Sequence, residues 1–296
     1  MRRYNSLNKY LRDKYGQKIY KISIDGGFTC PNRDGTIGSR GCIFCSGYGS
    51  GDFAENSSLS ITEQIENGKA KVASKMSGNK YIAYFQAFTN TYGDIDRLRR
   101  LYMEAVNHPD IAIISIGTRP DCLSRDILDL LNEINKIKPV WIELGLQTIH
   151  EKTAEYIRRG YPLSVYDEAV KNLRNIDIEV ITHVIIGLPG ESKEDILQTV
   201  KYVGESGVQG IKLQLLHVIK GTDLETDYLA GKFSCMSMEE YTDIIIECLK
   251  VLPDDIIIHR MTGDGAKKTL IAPLWSADKK KVLNYMNKRM RDENLL

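Results

Sequence analysis

The segment DGGFTCPNRDGTIGSRGCIFCS, residues 25–46, is the loop around which the rest of the fold is organised. It places three cysteines in one glycine-rich loop, with eleven residues between Cys30 and Cys42 and two between Cys42 and Cys45. Thiolates are soft ligands for iron–sulfur clusters, zinc or copper, and the Cys-x-x-Cys step lets two sulfurs reach one metal centre. Three thiolates leave one iron of a four-iron cluster open to an outside ligand, and an open metal position is typical of catalysis. The segment therefore predicts a catalytic metal loop.

A structural zinc site and disulfide bonds are the alternatives for these cysteines. No histidine lies within the loop to complete a tetrahedral zinc site. The chain shows no apolar signal segment and no dense cysteine framework, so a reducing cytoplasm is the expected compartment. The other cysteines belong to no Cys-x-x-Cys pair and are expected to be unligated: Cys122, Cys235 and Cys248.

Length and composition predict a soluble protein with a large core. Of the 296 residues 42% are hydrophobic, enough for one domain of α/β-barrel size or for two smaller ones. No apolar stretch is long enough to cross a bilayer, so we expect no membrane contact.

Basic residues concentrate at both ends of the chain. Residues 1–21 carry a charge of +6 and residues 259–296 a charge of +5, although the net charge of the chain is only +1. Two basic ends predict a phosphate-binding surface if the fold brings them together. Solvated helix faces are the alternative interpretation.

Strand-like and helix-like runs alternate along most of the chain. Strands are expected at 20–24, 81–86, 112–117, 140–146, 179–187, 210–216 and 256–261, and helices near 7–15, 95–107, 124–135, 164–175, 192–206 and 237–251. Another helix follows Ser60, which is predicted to form a capping box with Glu63. Further serines are predicted to be N-caps: Ser124, Ser164, Ser192 and Ser237.

Repeated β–α units of this length require parallel strands with right-handed crossovers. Six such units and a further strand predict an α/β fold, a partial (β/α)6 TIM-like barrel, with a doubly wound sheet as the alternative. We expect an N-terminal helical extension at 1–19, a core barrel at 20–252 and a C-terminal strand and helix extension at 253–296.

Polar residues inside the strands predict where the site lies, because reacting groups gather at the C-terminal ends of barrel strands. In WIELGLQ, period-two alternation puts Glu143, Gly145 and Gln147 on one face, expected to be the barrel interior. Lys212 shares such a face in IKLQLLH and is a candidate partner of Glu143, since a buried charge needs one. An ion pair that only stabilises the core is the alternative to a ligand-binding role.

Arginine and histidine residues at strand ends are further candidates. Arg119 is expected to clamp a carboxylate or phosphate through two parallel hydrogen bonds, with a salt bridge to Asp121 as the competing interpretation. His183 and His217 are candidates for substrate contact, although a lone histidine in a strand is more often structural.

The cysteine loop resembles that of the radical S-adenosylmethionine (SAM) enzymes, which commonly carry an aromatic residue before the third cysteine, here Phe44. Its wide first gap departs from their commoner spacing and is similar to the YhcC/YtqA-like (MnmL-like) branch and, more distantly, to the Elongator catalytic subunit. The resemblance to the YhcC/YtqA-like group runs along nearly the whole chain. Its segments are QAFTNTYG at 86–93, GTRPDCL at 117–123, ELGLQT at 143–148, HVIIGLPGE at 183–191, and TGDG and IAPLW near the end.

This resemblance implies a barrel of the radical SAM type and two cofactors. A [4Fe–4S] cluster would be held by Cys30, Cys42 and Cys45, and SAM would bind its open iron. One electron, from a donor such as flavodoxin or ferredoxin, would split SAM into methionine and a 5′-deoxyadenosyl radical that abstracts a substrate hydrogen.

The resemblance also suggests the residues around SAM. The methionyl amine would lie near the 86–93 segment, the ribose or amino-acid portion near the fourth strand of the barrel, and adenine near the GLPG turn. The expected contacts are Phe44, Gln86, Thr89, Asn90, Arg119, Glu143, Gln147, Gly187 and Pro189.

For the substrate, the resemblance points to tRNA and to modification of the wobble-uridine side chain. A small metabolite or a peptide is the alternative substrate for a radical SAM enzyme. A non-catalytic protein that binds zinc or a cluster for structure or sensing is the alternative outside the enzymes.

Overall fold

The computed structural model describes residues 4–47, 49, 54–75, 77–263, 265 and 267–295. Arg2 and Arg3 of the basic N-terminus and Asp264 of the TGDG motif therefore lie outside the described residues. None of the described helices is both long enough and apolar enough to cross a membrane.

The described strands and helices follow one another in a repeating β–α order. The strands are β1 Asn5–Ser6, β2 Tyr20–Ile24, β3 Tyr81–Phe85, β4 Ile111–Thr118, β5 Val140–Gln147, β6 Glu179–Ile186, β7 Gly210–Leu215, β8 Val218–Ile219, β9 Ile257–Arg260 and β10 Leu270–Ala272. The helices are α1 Leu7–Tyr15, α2 Ile61–Val72, α3 Ile95–Asn107, α4 Arg125–Asn135, α5 Glu151–Tyr156, α6 Leu163–Arg174, α7 Lys193–Glu205, α8 Asp223–Leu229, α9 Met238–Val251 and α10 Lys279–Asp292.

Eight of the described strands form one parallel sheet in the order β1-β9-β7-β6-β5-β4-β3-β2. Strands β2 to β7 follow one another across the sheet in chain order, with no reversal in the middle. A doubly wound sheet reverses its strand order at a switch point, whereas a barrel does not. The sheet is therefore a curled half-barrel, and the predicted partial (β/α)6 barrel is confirmed.

Apolar side chains on both faces of the sheet explain why it is buried on both sides. The outer face and the helices around it form the main core, which includes Phe85, Leu144 and Val184. Inside the barrel, Leu11 of α1 packs with Trp141 and other apolar residues from the N-terminal halves of the strands. Helix α1 therefore fills one end of the barrel, and the open end is the one at which the strands finish.

The N-terminal extension and the C-terminal extension meet where β1 pairs with β9. Strand β1 pairs in parallel with β9, so the N-terminal extension joins the sheet directly. Part of the basic charge of α1 is already paired, because Lys9 lies 2.5 Å from Asp13 and Lys14 lies 3.2 Å from Glu179.

Two of the predicted helix caps differ from the structure. Ser192 and Ser237 form capping boxes with Asp195 and Glu240, as does Ser60 with Glu63. The prediction for Ser164 is wrong, because α6 begins one residue earlier, directly after Pro162. Ser124 occupies the N-cap position of α4, but its side chain makes no capping hydrogen bond.

Several short elements carry too few residues to show a period and were not predicted. They are β1, the antiparallel pair β8 and β10, and the helices α5 and α8.

Ser192 and Ser164 form a matched pair for testing the N-terminal cap of α7. Replacing Ser192 with Ala removes the hydrogen bond that its side chain accepts from Asp195 N, so we expect the free energy of unfolding to fall by about 1 kcal/mol. Ser164→Ala changes an exposed serine inside α6 and is expected to leave stability nearly unchanged. Urea unfolding followed by circular dichroism measures both, and equal losses would contradict the cap assignment.

Candidate active site

A cavity of about 580 Å³ opens at the C-terminal end of the half-barrel. Its walls come from strands β2 to β7 and β9, and its rim includes the cysteine loop and residues that follow β7. The predicted position of the site, at the strand ends, is therefore where this cavity opens.

The three loop cysteines all line this cavity, and none of them forms a disulfide bond. The loop backbone turns tightly around them: Arg33 N donates to Cys30 O at 2.7 Å, and Cys45 N donates to Cys42 O at 3.0 Å. Burial, followed by the nearby Cys45, raises the pKa of Cys42 to about 11, while the Asn32 hydrogen bond and Arg119 act in the opposite direction. Three sulfurs in one wall form the soft donor set that an iron–sulfur cluster requires.

The loop is held from outside by the connection between α5 and α6. Ile43 N donates to Ile157 O at 3.3 Å, and Asn32 Nδ2 donates to Arg158 O at 2.7 Å. These contacts fix the loop against the mouth of the barrel, although the loop itself contains no strand or helix.

Arg33 closes the loop from within. Its Nη2 donates to Cys45 O at 2.8 Å and to Ser46 O at 2.6 Å. Gly41 permits this approach, because it has φ +74° and a Cβ there would lie 3.0 Å from the Arg33 guanidinium. Nothing in the spacing of the cysteines pointed to Arg33.

Most of the predicted SAM contacts line the cavity, but three do not. Those on its wall are Phe44, Gln86, Thr89, Arg119, Glu143 and Gln147. Asn90 is buried behind the wall, where its Nδ2 donates to Gly117 O at 2.8 Å. Gly187 and Pro189 lie outside the residues that line the cavity, and a Cβ at Gly187 would lie 3.5 Å from Met236 Sδ.

Gln147 is the predicted residue whose geometry best suits a ligand. It lies at a register shift between β5 and β6 and has a positive φ of 71°, which is strained for a residue other than glycine. Its Oε1 is buried and has no hydrogen-bond partner among the described residues. A buried acceptor in a cavity wall is suited to an outside donor such as an amine or a hydroxyl group.

Arg119 is occupied by the chain itself. Its Nε and Nη2 donate to the two oxygens of Asp121 at 2.9 and 2.7 Å, and its Nη1 donates to Arg159 O at 2.9 Å. The competing salt bridge is thus the observed one. Arg119 positions the loop after α5 rather than presenting a free clamp to the cavity.

Glu143 accepts hydrogen bonds from four neighbouring side chains at the floor of the cavity. Oε1 accepts from Lys21 at 2.5 Å and from Ser115 at 2.7 Å, while Oε2 accepts from His183 at 2.7 Å and from Lys212. The predicted pair of Glu143 and Lys212 is confirmed. Both carboxylate oxygens are saturated, so we revise the expected contact of Glu143 with SAM to an internal role.

The charges around Glu143 shift one another's proton affinities. Burial would raise the pKa of Glu143, but Lys21 and Lys212 outweigh it and hold that pKa well below its usual value. Burial, with Lys21 and Arg260 nearby, lowers the pKa of Lys212 to about 7 despite Glu143. Burial and Lys212 lower the pKa of His183 to about 4, so at neutral pH its Nε2–H donates to Glu143.

Two residues of the cavity floor, Lys21 and Tyr84, were missed as site candidates by the sequence analysis, whereas Arg260 was expected at a strand end. Lys21, Tyr84 and Arg260 line the cavity with Glu143, and the Lys212 ammonium lies 4.5 Å from the centre of the Tyr84 ring. The signal was available, because Lys21 with Ser23 and Tyr84 with Gln86 show the same period-two alternation that revealed Glu143 and Gln147.

The remaining histidine and cysteine candidates fall into two groups. His183 and His217 both line the cavity, and His217 Nε2 lies 3.1 Å from Ser276 Oγ. Cys248 is buried in the core, and neither it nor Cys122 or Cys235 lines the cavity.

Comparison with protein families matches residues 34–203 to the Radical SAM superfamily and residues 208–292 to the Radical SAM C-terminal domain. The chain belongs to the radical SAM superfamily. Its cofactors are accordingly a [4Fe–4S] cluster and SAM, and it is a radical SAM enzyme by family. The three thiols in one wall fit the cluster, and the buried unpartnered Oε1 of Gln147 fits a SAM amine or hydroxyl group.

Relatives of this radical SAM chain span nearly its full length. It is 44% identical to YtqA of Bacillus subtilis (strain 168), covering 98% of this chain and 90% of YtqA. It is 40% identical to YhcC of Escherichia coli (strain K12), covering 92% of this chain and 87% of YhcC. The predicted resemblance to the YhcC/YtqA-like group is therefore confirmed.

More distant similarities cover part of longer proteins. The chain is 27% identical to a tRNA uridine(34) acetyltransferase of Methanocaldococcus jannaschii, over 62% of this chain and 34% of that protein. Among solved structures, the archaeal Elp3 of Methanocaldococcus infernus superposes with a TM-score of 0.71 at 16% identity, covering 94% of this chain and 64% of that one. The second similarity shows that the two proteins share a fold.

The lowered pKa of Lys212 predicts a pH-dependent stability. An unfolded lysine keeps its proton up to about pH 10, whereas folded Lys212 loses it above about pH 7. The unfolded state then binds more protons, so this residue makes the free energy of unfolding rise by up to about 1.4 kcal/mol per pH unit above pH 7. Lys212→Met is expected to remove that rise between pH 7 and 8.5, as measured by urea unfolding of the anaerobic protein.

An exposed lysine of α6 supplies the control. Lys171→Met is expected to reproduce the pH dependence of the parent protein. A slope that is the same in all three proteins would show that Lys212 keeps its proton throughout this range.

Proposed function

We propose that Cys30, Cys42 and Cys45 bind the [4Fe–4S] cluster, and that this radical SAM enzyme modifies the side chain of the wobble uridine of tRNA. The ligand assignment is supported by the position of these three cysteines in the lining of one cavity and by the pairing of the loop with the α5–α6 connection. The cytoplasm suits three cysteines that form no disulfide bond, because its reducing conditions keep their thiols reduced.

When bound, the cluster and SAM would supply the one-electron chemistry by which a hydrogen atom is removed from the substrate. The chain's own residues hold and shield the reactants. Gln147 would accept a hydrogen bond from SAM through its buried Oε1, while Thr89 and Gln86 line the same cavity. Phe44, directly before Cys45, supplies an apolar surface that excludes water. A small reductant protein such as flavodoxin or ferredoxin delivers the electron.

The substrate proposal rests on the similarity to the tRNA uridine(34) acetyltransferase, whose name states the base on which that protein acts. Charge at the cavity mouth supports it. Lys220 directly follows the cavity residue Ile219, Lys267 and Lys268 lie just beyond the cavity residue Gly265, and all three lysines are exposed. Exposed lysines beside a cavity are suited to contact RNA phosphates while one base enters.

Removing one loop cysteine tests the cluster assignment. Anaerobically reconstituted parent protein is expected to hold close to four irons and four sulfides per chain and to form 5′-deoxyadenosine from SAM only with a reductant. Cys45→Ala should lose nearly all of this cleavage, because two thiolates cannot hold the cluster with a single open iron. Cys235→Ala removes a cysteine outside the cavity and should retain both iron and activity. Full cleavage by Cys45→Ala would overturn the ligand assignment.

Charge reversal at the mouth tests the substrate. Combined Lys220→Glu, Lys267→Glu and Lys268→Glu substitutions are expected to weaken tRNA binding. The steepness with which the logarithm of the binding constant falls with the logarithm of the salt concentration should decrease by about 1 for each lysine that binds a phosphate in the parent protein. The matched control carries Lys136→Glu, Lys171→Glu and Lys193→Glu, which change exposed lysines in α6, in α7 and directly after α4. Filter binding from about 50 to 200 mM salt measures both.

A cellular measurement completes this test. Nucleosides of tRNA from cells that lack the protein should show a changed wobble uridine, restored by the parent gene and not by the Cys45→Ala form. Unchanged nucleosides, with no tRNA binding at low salt, would contradict the RNA substrate and favour a small metabolite or peptide.

A further inference from the structure

We propose that Asn32 sets the reduction potential of the cluster by donating an N–H···S hydrogen bond to the thiolate of Cys42. Asn32 lies in the wide gap between the first two cysteines, two residues after Cys30. Its Nδ2 is 3.4 Å from Cys42 Sγ. This role rests on the proposed function, since it requires the cluster to be bound by these cysteines.

The amide of Asn32 is held in one orientation. Its Nδ2 also donates to Arg158 O at 2.7 Å, and the carbonyl oxygen of Arg159 lies 3.4 Å away. Turning the amide over would place its oxygen against these two carbonyl oxygens, which cannot donate. The N–H groups therefore point toward the sulfur and the two carbonyls.

The surroundings of Asn32 keep this hydrogen bond away from water. The residue is 4% exposed. Its backbone oxygen accepts from Gly41 N at 2.7 Å, which draws the segment just before Cys42 toward it. Gly160, with φ +82°, makes room on the other side, because a Cβ there would lie 2.8 Å from Asn32 Oδ1. In a buried setting a hydrogen bond to a charged group is stronger than it is in water.

The expected effect follows from charge. Reducing the cluster adds a negative charge that is shared with its thiolate ligands, and an N–H donor stabilises the more negative form. Hydrogen bonds to the sulfurs therefore make reduction easier and raise the potential. Asn32 is thus a positioning and tuning residue, since it acts on the cluster through a ligand sulfur.

Two substitutions separate the hydrogen bond from the shape of the side chain. Asn32→Ala removes the donor, and Asn32→Asp keeps the shape but replaces the N–H groups with a carboxylate oxygen. Potentials measured by redox titration with electron paramagnetic resonance should become more negative in the order parent, Asn32→Ala, Asn32→Asp. Iron content and SAM binding are measured on the same samples, so that a change in potential is read only from fully loaded protein.

Asn135→Ala is the matched control. Asn135 also joins two backbone segments through its amide, donating to Asp177 O at 3.1 Å and accepting from Val140 N at 2.9 Å, but it touches no cysteine. The cluster in the Asn135→Ala protein should have the same reduction potential as the cluster in the parent protein. If the fully loaded Asn32→Ala and Asn32→Asp proteins have the same reduction potential as the parent protein, the proposal is overturned and the proposed function remains intact.

A measurement on the parent protein covers the case in which the variants do not bind the cluster. With 15N-asparagine incorporated, the reduced cluster should show a hyperfine coupling to 15N carried through the N–H···S contact. A fully loaded parent cluster without such a coupling would overturn the role of Asn32. A parent protein that assembles no four-iron cluster would instead contradict the proposed function.

Discussion

The interior of this half-barrel is organised by one buried carboxylate, Glu143 of β5. Its oxygens accept from Lys21 of β2, Ser115 of β4, His183 of β6 and Lys212 of β7, so one side chain joins five strands across the barrel. A buried carboxylate without such donors costs several kcal/mol, and breaking a buried ion pair typically costs about 3–5 kcal/mol. Each strand is therefore held at a register that keeps its donor within reach, and the floor of the cavity is the result.

Above this floor, the site is assembled from parts that owe their positions to different forces. Hydrophobic burial around α1 fills the lower interior of the barrel, and the sheet carries Gln147 at its end. The cysteine loop belongs to no strand or helix and depends on individual hydrogen bonds, chiefly those of Asn32 and Arg33. The chemistry of a radical SAM enzyme needs both parts, because SAM must reach the cluster and the substrate at once.

The regular elements were predictable to within one or two residues, because each has a clear period and a recognisable start. Strand β2 and the capping box at Ser60 are examples. The pair of Glu143 and Lys212 was also predictable, because a charge inside an apolar strand demands a partner. Ser164 shows the limit of this reasoning, since local sequence favours a cap there while the helix begins at Leu163. Arg119 shows another limit, because the sequence allowed either a ligand clamp or a salt bridge to Asp121. Only the structure shows that the guanidinium of Arg119 is bound to Asp121.

The sequence by itself determined the repeated β–α units with parallel strands and the loop of three cysteines, because periodicity and motif spacing are local properties of the chain, and its motifs resembled those of the radical SAM enzymes. The order of the strands in the tertiary structure decided for a half-barrel over a doubly wound sheet. Only the tertiary structure decided which polar groups meet. It brought the carbonyl oxygens of Arg158 and Arg159 to Asn32 across more than a hundred residues of chain, and it left the buried Oε1 of Gln147, a residue of the cavity wall, without a hydrogen-bond partner among the described residues. Such contacts are set by how the loops pack onto the finished sheet, and no local pattern records a partner that distant in sequence.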